Sequence, residues 1–385
     1  MNRILVLSKF FLPAYKAGGP IRSLANMVQH LEDDFEFRVI TRDRDFGDTE
    51  PFPDVETDTW TQREHCSAYY CSPESRNPLA LWQLICSTPH DVLYVNNFFD
   101  RLFGILPVLL HAVHLLPRVP VVVATRGVFS PGAMNIRTFR KRAFLAVLNC
   151  LPIREDILWH ATSAEEEELI RDHVKGDLTI KVAPNLPSII DGSVEDSKEP
   201  GDLELFFVGR ITEMKNISGA LQILREVDVP VSYHLYGPVD DEEYWQRCRS
   251  QIDDLSEHVS VQYHGAVKPP GVARVMQQHH VLFLPTRGEN FGHVISEALS
   301  CGRPVLISDQ TPWQDLDRHQ AGWALPLDDA DSFRSRLKQY SRMDADEFAE
   351  RSRAARAFVR RIVQNSTRLD QSRAMFRTAI RKQHS

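Results

Sequence analysis

The chain of 385 residues contains few cysteines, and no pattern connects them. The six cysteines form no C-x-x-C motif and no Cys/His spacing typical of a zinc finger. Free thiols in a reducing cytosol are therefore expected. These residues are Cys66, Cys71, Cys86, Cys150, Cys248 and Cys301.

Long apolar runs are also lacking. The most apolar segment, residues 102–117, contains Pro107, His111 and His114 and is shorter than the ~18–20 apolar residues that a membrane span needs. It is predicted to be a buried helix, with a membrane-contacting surface as the alternative. The N-terminal stretch MNRILVLSKF is not apolar for long enough to be a secretory signal, so a cytoplasmic location is expected.

An excess of positive charge is absent as well. The formal net charge of −7 argues against a general nucleic-acid-binding protein. Hydrophobic residues make up 43% of the chain and charged residues 25%, as in an ordinary globular protein. The length is sufficient for two domains with separate cores.

What the sequence does contain is a repeated alternation of short apolar runs and amphipathic stretches. Such alternation predicts a mostly parallel sheet with helices on both faces. Residues 188–202 interrupt it, because they are acidic, poor in apolar residues and contain Gly and Pro, which is typical of a linker. The predicted strands are 3–8, 37–41, 91–97, 120–126, 157–163 and 180–185 before the linker, and 203–209, 231–237, 259–265, 281–285, 304–308 and 322–326 after it.

The stretch GENFGHVISEAL, residues 288–299, follows the predicted strand 281–285. A helix is predicted to start near His293, and its N-terminus favours an anion. Glu289 precedes this helix, whereas Glu297 lies one turn inside it. Glu297 could accept hydrogen bonds from ribose hydroxyls and Glu289 from a sugar, but the spacing alone favours the alternative, a surface helix with ordinary acids. The predicted polar face consists of His293, Ser296, Glu297 and Ser300.

Two further stretches carry groups suited to phosphate. In FFVGRITEMKN, residues 206–216, Arg210 and Lys215 follow a strand, and together they suit a diphosphate. The alternative is a pair of solvated cations. Gly18 and Gly19 lie in the first strand–helix turn, where backbone amides can cradle phosphate, although tight turns use glycine routinely.

With these motifs, and with SCGRPVLIS after the E-x7-E block, the chain resembles the retaining glycosyltransferases of family 4 over nearly its whole length. The resemblance implies a GT-B fold, in which two Rossmann-like α/β domains face a central cleft. It implies an N-terminal acceptor domain (1–187), a linker (188–202), a C-terminal nucleotide-sugar donor domain (203–360) and a last helix (361–385) that packs back on the N-terminal domain. The implied activity is transfer of a hexose from a nucleotide sugar to a saccharide or a lipid-linked saccharide, in cell-surface polysaccharide synthesis.

The resemblance also implies roles for individual residues. Arg210 and Lys215 would bind the donor's diphosphate and neutralise the leaving group, Glu297 would hold the ribose, and Glu289 the transferred sugar. The remaining donor-binding groups would be the glycines of the first turn, the backbone of the loop after Glu289, and the backbone near the nucleobase: Gly18, Gly19, Asn290, Phe291, Gly292 and Val267.

One position departs from the family pattern. Many members have a histidine at the end of a first-domain strand, but ATRGVFSPG (124–132) has Arg126 there. Arg126 is expected to contact the diphosphate or the acceptor. His160, in LWHATS, is interpreted as a structural residue.

Two segments have the D-x-D form of a metal site, DRD (43–45) and DLD (315–317). Solvated charge is the preferred interpretation of both, with an acceptor-binding role open for DRD. Arg210 and Lys215 remove the need for a divalent metal at the diphosphate, and the resemblance implies metal-independent catalysis without a cofactor.

The segment RTFRKRAFLAVLNCLP (137–152) mixes basic residues with Phe139, Phe144, Leu145, Val147 and Leu148. Two interpretations stay open: a helix that binds an anionic membrane surface at the inner face of the cytoplasmic membrane, or a domain helix with an exposed basic face.

Two rival functions are compatible with the same motifs. One is a nucleotide-sugar epimerase, and the other is a catalytically silent subunit that binds nucleotide sugar. An NAD-dependent dehydrogenase is disfavoured because GGPIRS (18–23) does not have the G-x-G-x-x-G form.

Overall fold

A computed structural model of the chain describes residues 1–129, 134, 138–150, 156–188 and 198–382. It consists of two compact units. Unit 1 comprises Met1–Leu186 and Ser366–Ser385, and unit 2 comprises Pro187–Asn365. The chain returns from unit 2 to unit 1 at Ser366, five residues beyond the predicted start of the last helix at 361. The difference arises because the helix Ala345–Gln364 continues through residue 361.

Unit 1 is built on an eight-stranded sheet in the order β3-β4-β2-β1-β5-β6-β7-β8. All neighbours are parallel except β3 and β4. Ile4–Leu7 are fully buried in the central strand, as expected where helices cover both faces. The strands are β1 (Asn2–Leu7), β2 (Phe35–Arg42), β3 (Trp60–Gln62), β4 (Ser67–Cys71), β5 (Val92–Val95), β6 (Val121–Ala124), β7 (Leu158–Ala161) and β8 (Thr179–Val182).

The helices of unit 1 lie mainly between successive strands. They are α1 (Gly19–Leu31), α2 (Pro78–Ser87), α3 (Leu106–Ala112), α4 (Thr138–Cys150) and α5 (Ala164–His173), with a π-helical turn at Arg101–Ile105. A further helix from the end of the chain, Ser366–Lys382, also packs here, and its Phe376 ring lies 5.2 Å from that of Phe35. It is α12 in the numbering used below.

The prediction of one buried helix over residues 102–117 is wrong in its second half. The helix α3 ends at Ala112 because His114 adopts a left-handed conformation with φ 57°. Beyond it, Val113 and Leu115 are 61% and 53% exposed. Among the described residues, none of the helices combines the length and apolar character that crossing a bilayer requires.

Unit 2 has a six-stranded, fully parallel sheet in the order β11-β10-β9-β12-β13-β14. Its strands are β9 (Glu204–Val208), β10 (Val231–Tyr236), β11 (Val259–Tyr263), β12 (Val281–Leu284), β13 (Val305–Ser308) and β14 (Gly322–Leu325). Its helices are α6 (Ile217–Arg225), α7 (Glu242–Asp253), α8 (Pro269–Gln277), α9 (His293–Ser300), α10 (Ala330–Arg342) and α11 (Ala345–Gln364). The loops that follow β11, β10, β9 and β12 therefore stand in a row at one edge of the sheet.

Candidate active site

The loops after β9 and β12 are fastened to each other by hydrogen bonds. The Asn216 side-chain amide donates to the Pro285 carbonyl (2.8 Å), and the Thr286 hydroxyl donates to the Met214 carbonyl (2.9 Å). The Arg287 backbone N–H also donates to the Met214 carbonyl, at 2.8 Å. Because β9 and β12 are neighbours in the sheet, these bonds make one platform, defined here as residues 210–216 and 285–292.

Lys215 and Glu289 form an ion pair on this platform. Their side chains are 22% and 11% exposed, so solvent screens the pair only in part. The sequence assigned these two residues to different parts of one ligand, and the structure brings them into direct contact. An anion that binds Lys215 must compete with the Glu289 carboxylate.

Arg210 lies on the other side of the β9 loop. Its guanidinium contacts the Asp240 carboxylate at 2.8 Å, and the two side chains are 43% and 31% exposed. An ion pair this exposed contributes about 0–1 kcal/mol, so a phosphate can displace Asp240 at little cost. The β9 and β10 loops approach closely here, because a Cβ on Gly237 would lie 1.7 Å from the Gly209 carbonyl oxygen.

The N-terminus of α9 closes the platform. Gly292 caps the helix with φ 74°, a conformation that L side chains rarely adopt. Among the described residues, no acceptor takes the backbone N–H of Asn290 or Gly292. Phe291 anchors the loop, since its ring packs against Trp313 at 5.4 Å and its carbonyl accepts from the Trp313 indole. Amides before a helix are suited to an anion or a hydroxyl.

The predicted polar face of α9 is buried, so the alternative interpretation of α9 as a surface helix with ordinary acids is wrong. Glu297 is 6% exposed, and Ser296 and Ser300 are 0% and 7% exposed. The helix packs against α11, and the Ser296 and Ser300 hydroxyls bond back to carbonyls within α9 at 2.8 Å. Glu297 is thus an inward-facing carboxylate.

Val267 lies in the loop after β11 and is half-buried. Its side chain packs over α8, because a Cβ on Gly271 would lie 3.0 Å from the Val267 Cγ2 atom. The base of this loop is joined to the β10 loop, since the Gly237 N–H donates to the Gly265 carbonyl at 2.8 Å. The Val267 loop therefore continues the row formed by the β10, β9 and β12 loops.

In unit 1, Gly18 and Gly19 lie at the start of α1. Gly18 caps the helix with φ 81°, so the backbone itself requires glycine there. A Cβ on Gly19 would meet nothing within 4 Å, which leaves space beside the helix N-terminus. Asp45 holds the loop that leads into this turn, because its carboxylate accepts from the Tyr15 and Lys16 backbone N–H groups at 2.8 and 3.2 Å.

The interpretation of DRD (43–45) as solvated charge is wrong, because both aspartates are buried and have hydrogen-bond partners. Asp43 and Asp45 are 1% and 2% exposed. The Asp43 carboxylate pairs with the Arg44 guanidinium at 2.8 Å, and Asp45 accepts backbone hydrogen bonds. Asp315 and Asp317, in the second segment, are exposed as predicted.

Arg126 is held by three neutral oxygens at the carboxyl ends of the unit 1 strands. Its Nε donates to Asn96 Oδ1 (2.9 Å), and its two terminal nitrogens donate to Asn185 Oδ1 (2.7 Å) and to the Tyr94 hydroxyl oxygen (2.9 Å). Within the described residues, no carboxylate forms an ion pair with it. The result is a fixed, half-buried positive charge.

His160 supports Arg126 through Tyr94. The Tyr94 hydroxyl donates to His160 Nδ1 at 2.8 Å, and His160 Nε2–H donates to the Ala183 carbonyl at 2.8 Å. Complete burial, and then the Arg126 charge, lower the pKa of His160 to about 4, so the ring is neutral near pH 7. The interpretation of His160 as a structural residue agrees with these contacts.

Glu166, which the sequence did not single out, fixes the turn that carries Arg126. It is 5% exposed, and its carboxylate accepts from the Thr125 hydroxyl (2.6 Å), the Gly127 N–H (2.5 Å) and the Thr162 N–H (2.7 Å). Burial alone would raise the pKa of Glu166, but these hydrogen bonds bring it below the ordinary value. The sequence signal that could have revealed this network is the presence of polar residues at strand ends, such as Asn96 and Asn185.

Comparison with known proteins shows similarity to glycosyltransferases. Residues 193–357 match the family model described as "Glycosyl transferases group 1", which is less than half of the chain. The chain is 26% identical over 157 residues to a "Putative colanic acid biosynthesis glycosyltransferase WcaL" of Salmonella typhimurium, a match covering 39% of each chain. It is 30% identical over 146 residues to a "Phosphatidyl-myo-inositol mannosyltransferase" of Mycobacterium leprae, covering 36% of this chain and 37% of that protein. The chain thus matches about two fifths of the length of these relatives.

Solved structures resemble the whole chain. A sucrose-phosphate synthase from Thermosynechococcus elongatus aligns with a TM-score of 0.69 at 17% identity, covering 98% of this chain and 99% of the other. The Anabaena protein Alr3699/HepE, in complex with UDP and glucose, aligns with a TM-score of 0.66 at 15% identity and the same coverage. The chain therefore has the GT-B fold, with two Rossmann-like α/β units.

Proposed function

We propose that this chain is a retaining glycosyltransferase of family 4 that moves a hexose from a nucleotide sugar to a saccharide or lipid-linked saccharide acceptor, in cell-surface polysaccharide synthesis. The observation that carries the proposal is the Lys215–Glu289 pair beside the open amides before α9, at the sheet edge where α/β folds bind ligands. The match of residues 193–357 to group 1 glycosyl transferases supports it. So do the names of the two relatives, a colanic acid biosynthesis glycosyltransferase and a mannosyltransferase.

The donor's diphosphate would bind Arg210 and Lys215. Both cations are paired with an acid in the structure, so binding is an exchange of partners. When Lys215 turns to phosphate, Glu289 is released to accept a hydrogen bond from the transferred sugar. Glu297 would take the ribose hydroxyls, and Val267 would lie against the base.

The reaction would be driven by electrostatic stabilisation of the leaving group. The bond between the sugar's anomeric carbon and the phosphate oxygen breaks, and the acceptor oxygen bonds to the same face of that carbon. The acceptor's proton passes to the leaving phosphate. Arg210 and Lys215 would balance the negative charge that remains on the leaving diphosphate. Neither Glu289 nor Glu297 is assigned as a nucleophile, and no divalent metal is assigned to this step.

Arg126 would provide a third cation. Its three hydrogen-bond partners are neutral, so the guanidinium is not tied to a carboxylate and can bind an anionic group. The anion bound by Arg126 would be the diphosphate of the donor or an anionic group of the acceptor. Gly18 and Gly19 would let the donor approach the start of α1.

Peripheral contact with the inner face of the cytoplasmic membrane is part of the proposal, but α4 contributes less than the sequence predicted. Phe144, Leu145 and Leu148 are buried in the unit 1 core, Val147 is 51% exposed, and the side chain of Phe139 lies outside the described residues. Leu79, Val113 and Leu115 add exposed apolar surface. Co-sedimentation with liposomes should require anionic lipid and weaken with salt, and equal binding to neutral liposomes would contradict the contact.

A screen of nucleotide sugars that differ in base and sugar tests the proposed function. A matching donor at 100 times its Kd should stabilise the protein by about 2.7 kcal/mol, and with an acceptor it should give a product of unchanged anomeric configuration. Conversion of the donor without acceptor would instead show an epimerase. Donor binding without turnover across a panel of acceptors would show a silent binding subunit.

A further inference from the structure

Unit 2 has a second polar cluster that the proposed function does not use. Glu204 is the first residue of β9, His234 lies in the middle of β10, and His279 lies just before β12. His264 follows the end of β11. Glu204 begins the strand whose other end leads to Lys215, so Glu204 and the platform lie at opposite ends of β9, whereas His264 lies in the loop after β11.

Three of these residues converge on one point. Ligand atoms of Glu204, His234 and His279 all lie within 4.8 Å of one another. His234 Nε2 lies 2.7 Å from Glu204 Oε2, and the His234 and His279 rings are 4.5 Å apart. Two imidazoles and a carboxylate are a common ligand set for zinc and similar divalent ions. Bonds of about 2.1 Å place tetrahedral ligand atoms about 3.4 Å apart, which small side-chain rotations reach from this geometry.

His279 is already oriented as a ligand. It is 5% exposed, and its Nδ1–H donates to the Val275 carbonyl at 2.6 Å. The lone pair therefore lies on Nε2, which has no hydrogen-bond partner among the described residues. A backbone carbonyl that fixes the tautomer in this way is the usual support of a metal-binding histidine.

His264 completes the arrangement as the support of His234. His264 Nε2 and His234 Nδ1 are 2.9 Å apart. While His234 Nε2–H donates to Glu204, its Nδ1 accepts from His264. When a metal takes the Nε2 position, the His234 proton lies on Nδ1 and is donated to His264 Nε2, and the His264 proton lies on its own Nδ1. Both rings stay neutral, so the exchange of tautomers needs no net release of a proton.

We propose that Glu204, His234 and His279 bind one divalent ion of the zinc class, with His264 orienting His234. The ion would fasten β9, β10 and the turn before β12. Its role would be to stabilise unit 2 rather than to act in transfer, because it lies away from the platform. The proposal does not depend on the proposed function.

Metal titration of the full chain, free of any affinity tag and stripped with a chelator, tests the site. Zn²⁺ titrated against a chromophoric competitor should show one tight equivalent, and Co²⁺ should give the visible spectrum of a four-coordinate ion. His234→Gln and His279→Gln should weaken binding at least 100-fold, and His264→Gln about 10–100-fold. His258→Gln changes an exposed histidine of the same unit and should bind like the unmodified chain.

The test remains decisive if one of these variants folds poorly, because another ligand residue can be substituted instead. Far-ultraviolet circular dichroism and Tm identify such a variant, and Glu204→Gln, which keeps the side-chain size, then takes its place. Zinc should raise the Tm of the unmodified chain and of His258→Gln and leave that of His279→Gln unchanged. Equal affinity in the unmodified chain and in His279→Gln, or only millimolar binding by both, would overturn the site.

Discussion

Lys215 and Glu289 join the ends of two neighbouring strands through a partly buried ion pair. In the proposed function, the pair lets one small platform hold a cation for phosphate and a carboxylate for a sugar without leaving either charge unbalanced. Binding of a nucleotide sugar would then be a change of partners at preformed groups. The loops do not need to refold, because three hydrogen bonds already fix them.

Arg210→Ala should slow transfer. The exposed Asp240 pair costs little to lose, so the protein should fold normally, but the leaving diphosphate would lose a cation. We expect a decrease in kcat/KM that corresponds to a loss of about 2–4 kcal/mol of transition-state stabilisation. Arg247→Ala, which removes another exposed arginine of unit 2, is the matched control. Unchanged kcat/KM in Arg210→Ala would remove this residue from the mechanism.

Arg126→Lys should show that geometry, and not charge alone, matters in unit 1. Lysine keeps the charge but cannot make the fork of hydrogen bonds to Asn96, Asn185 and Tyr94. We expect at least about a tenfold loss of kcat/KM, whereas Arg171→Lys, at an exposed site in α5, should be neutral. Full activity of Arg126→Lys would show that any cation suffices, and full activity of Arg126→Gln would show that none is needed.

Chelation should not abolish transfer. Arg210 and Lys215 supply the charge that a metal would otherwise supply at the diphosphate. Initial rates measured well below the unfolding temperature should be unchanged after exhaustive chelation. His234→Gln, which removes a ligand of the separate metal site, should keep the same kcat. Loss of activity that Mg²⁺ or Mn²⁺ restores would contradict this assignment.

His160 should make stability depend on pH. Its folded pKa of about 4 is below the ordinary value near 6.5, so between these values the unfolded chain binds more protons than the folded one. Stability is therefore complete above about pH 6.5 and is lost as the pH falls towards 4. Between pH 6.5 and 5 the loss should be about 1–2 kcal/mol. In His160→Gln, chemical denaturation should show a correspondingly smaller decrease, and identical pH profiles would refute the assignment.

The sequence predicted the parts of the fold that depend on local pattern. All twelve predicted runs correspond to strands. Strands such as β12 are buried throughout and continuously apolar, whereas β10 alternates between buried and half-buried residues. The strands β3 and β4 were missed, since Trp60–Gln62 and Ser67–Cys71 are short and mixed in polarity. Strand ends also located Arg210, Lys215 and Glu289, because parallel strands bring their carboxyl ends to one edge.

Contacts between distant segments could not be predicted from local pattern. Periodicity shows that Glu297 and Ser296 share a face of α9, but not that α11 packs against that helix. Charge alone suggested that Asp45 is solvated, whereas the chain folds the Tyr15–Lys16 amides onto it. The partners of Arg126 come from two strands that are far apart in the sequence, Tyr94 and Asn96 from the end of β5 and Asn185 from beyond the end of β8, so no short motif contains them.

Glu289 and Glu297 provide the most direct test, because the account gives them different parts of one ligand. Calorimetric titration of nucleoside diphosphate into Glu289→Gln and Glu297→Gln, beside initial rates of transfer, separates the two roles. Circular dichroism must first show that Glu297→Gln is folded, since this side chain is buried. Glu297→Gln should bind nucleoside diphosphate more weakly, because ribose is present in that ligand. Glu289→Gln should bind it nearly as well as the unmodified chain and have a lower kcat, because its partner is the transferred sugar. An equal loss of nucleotide affinity in both variants would contradict the account.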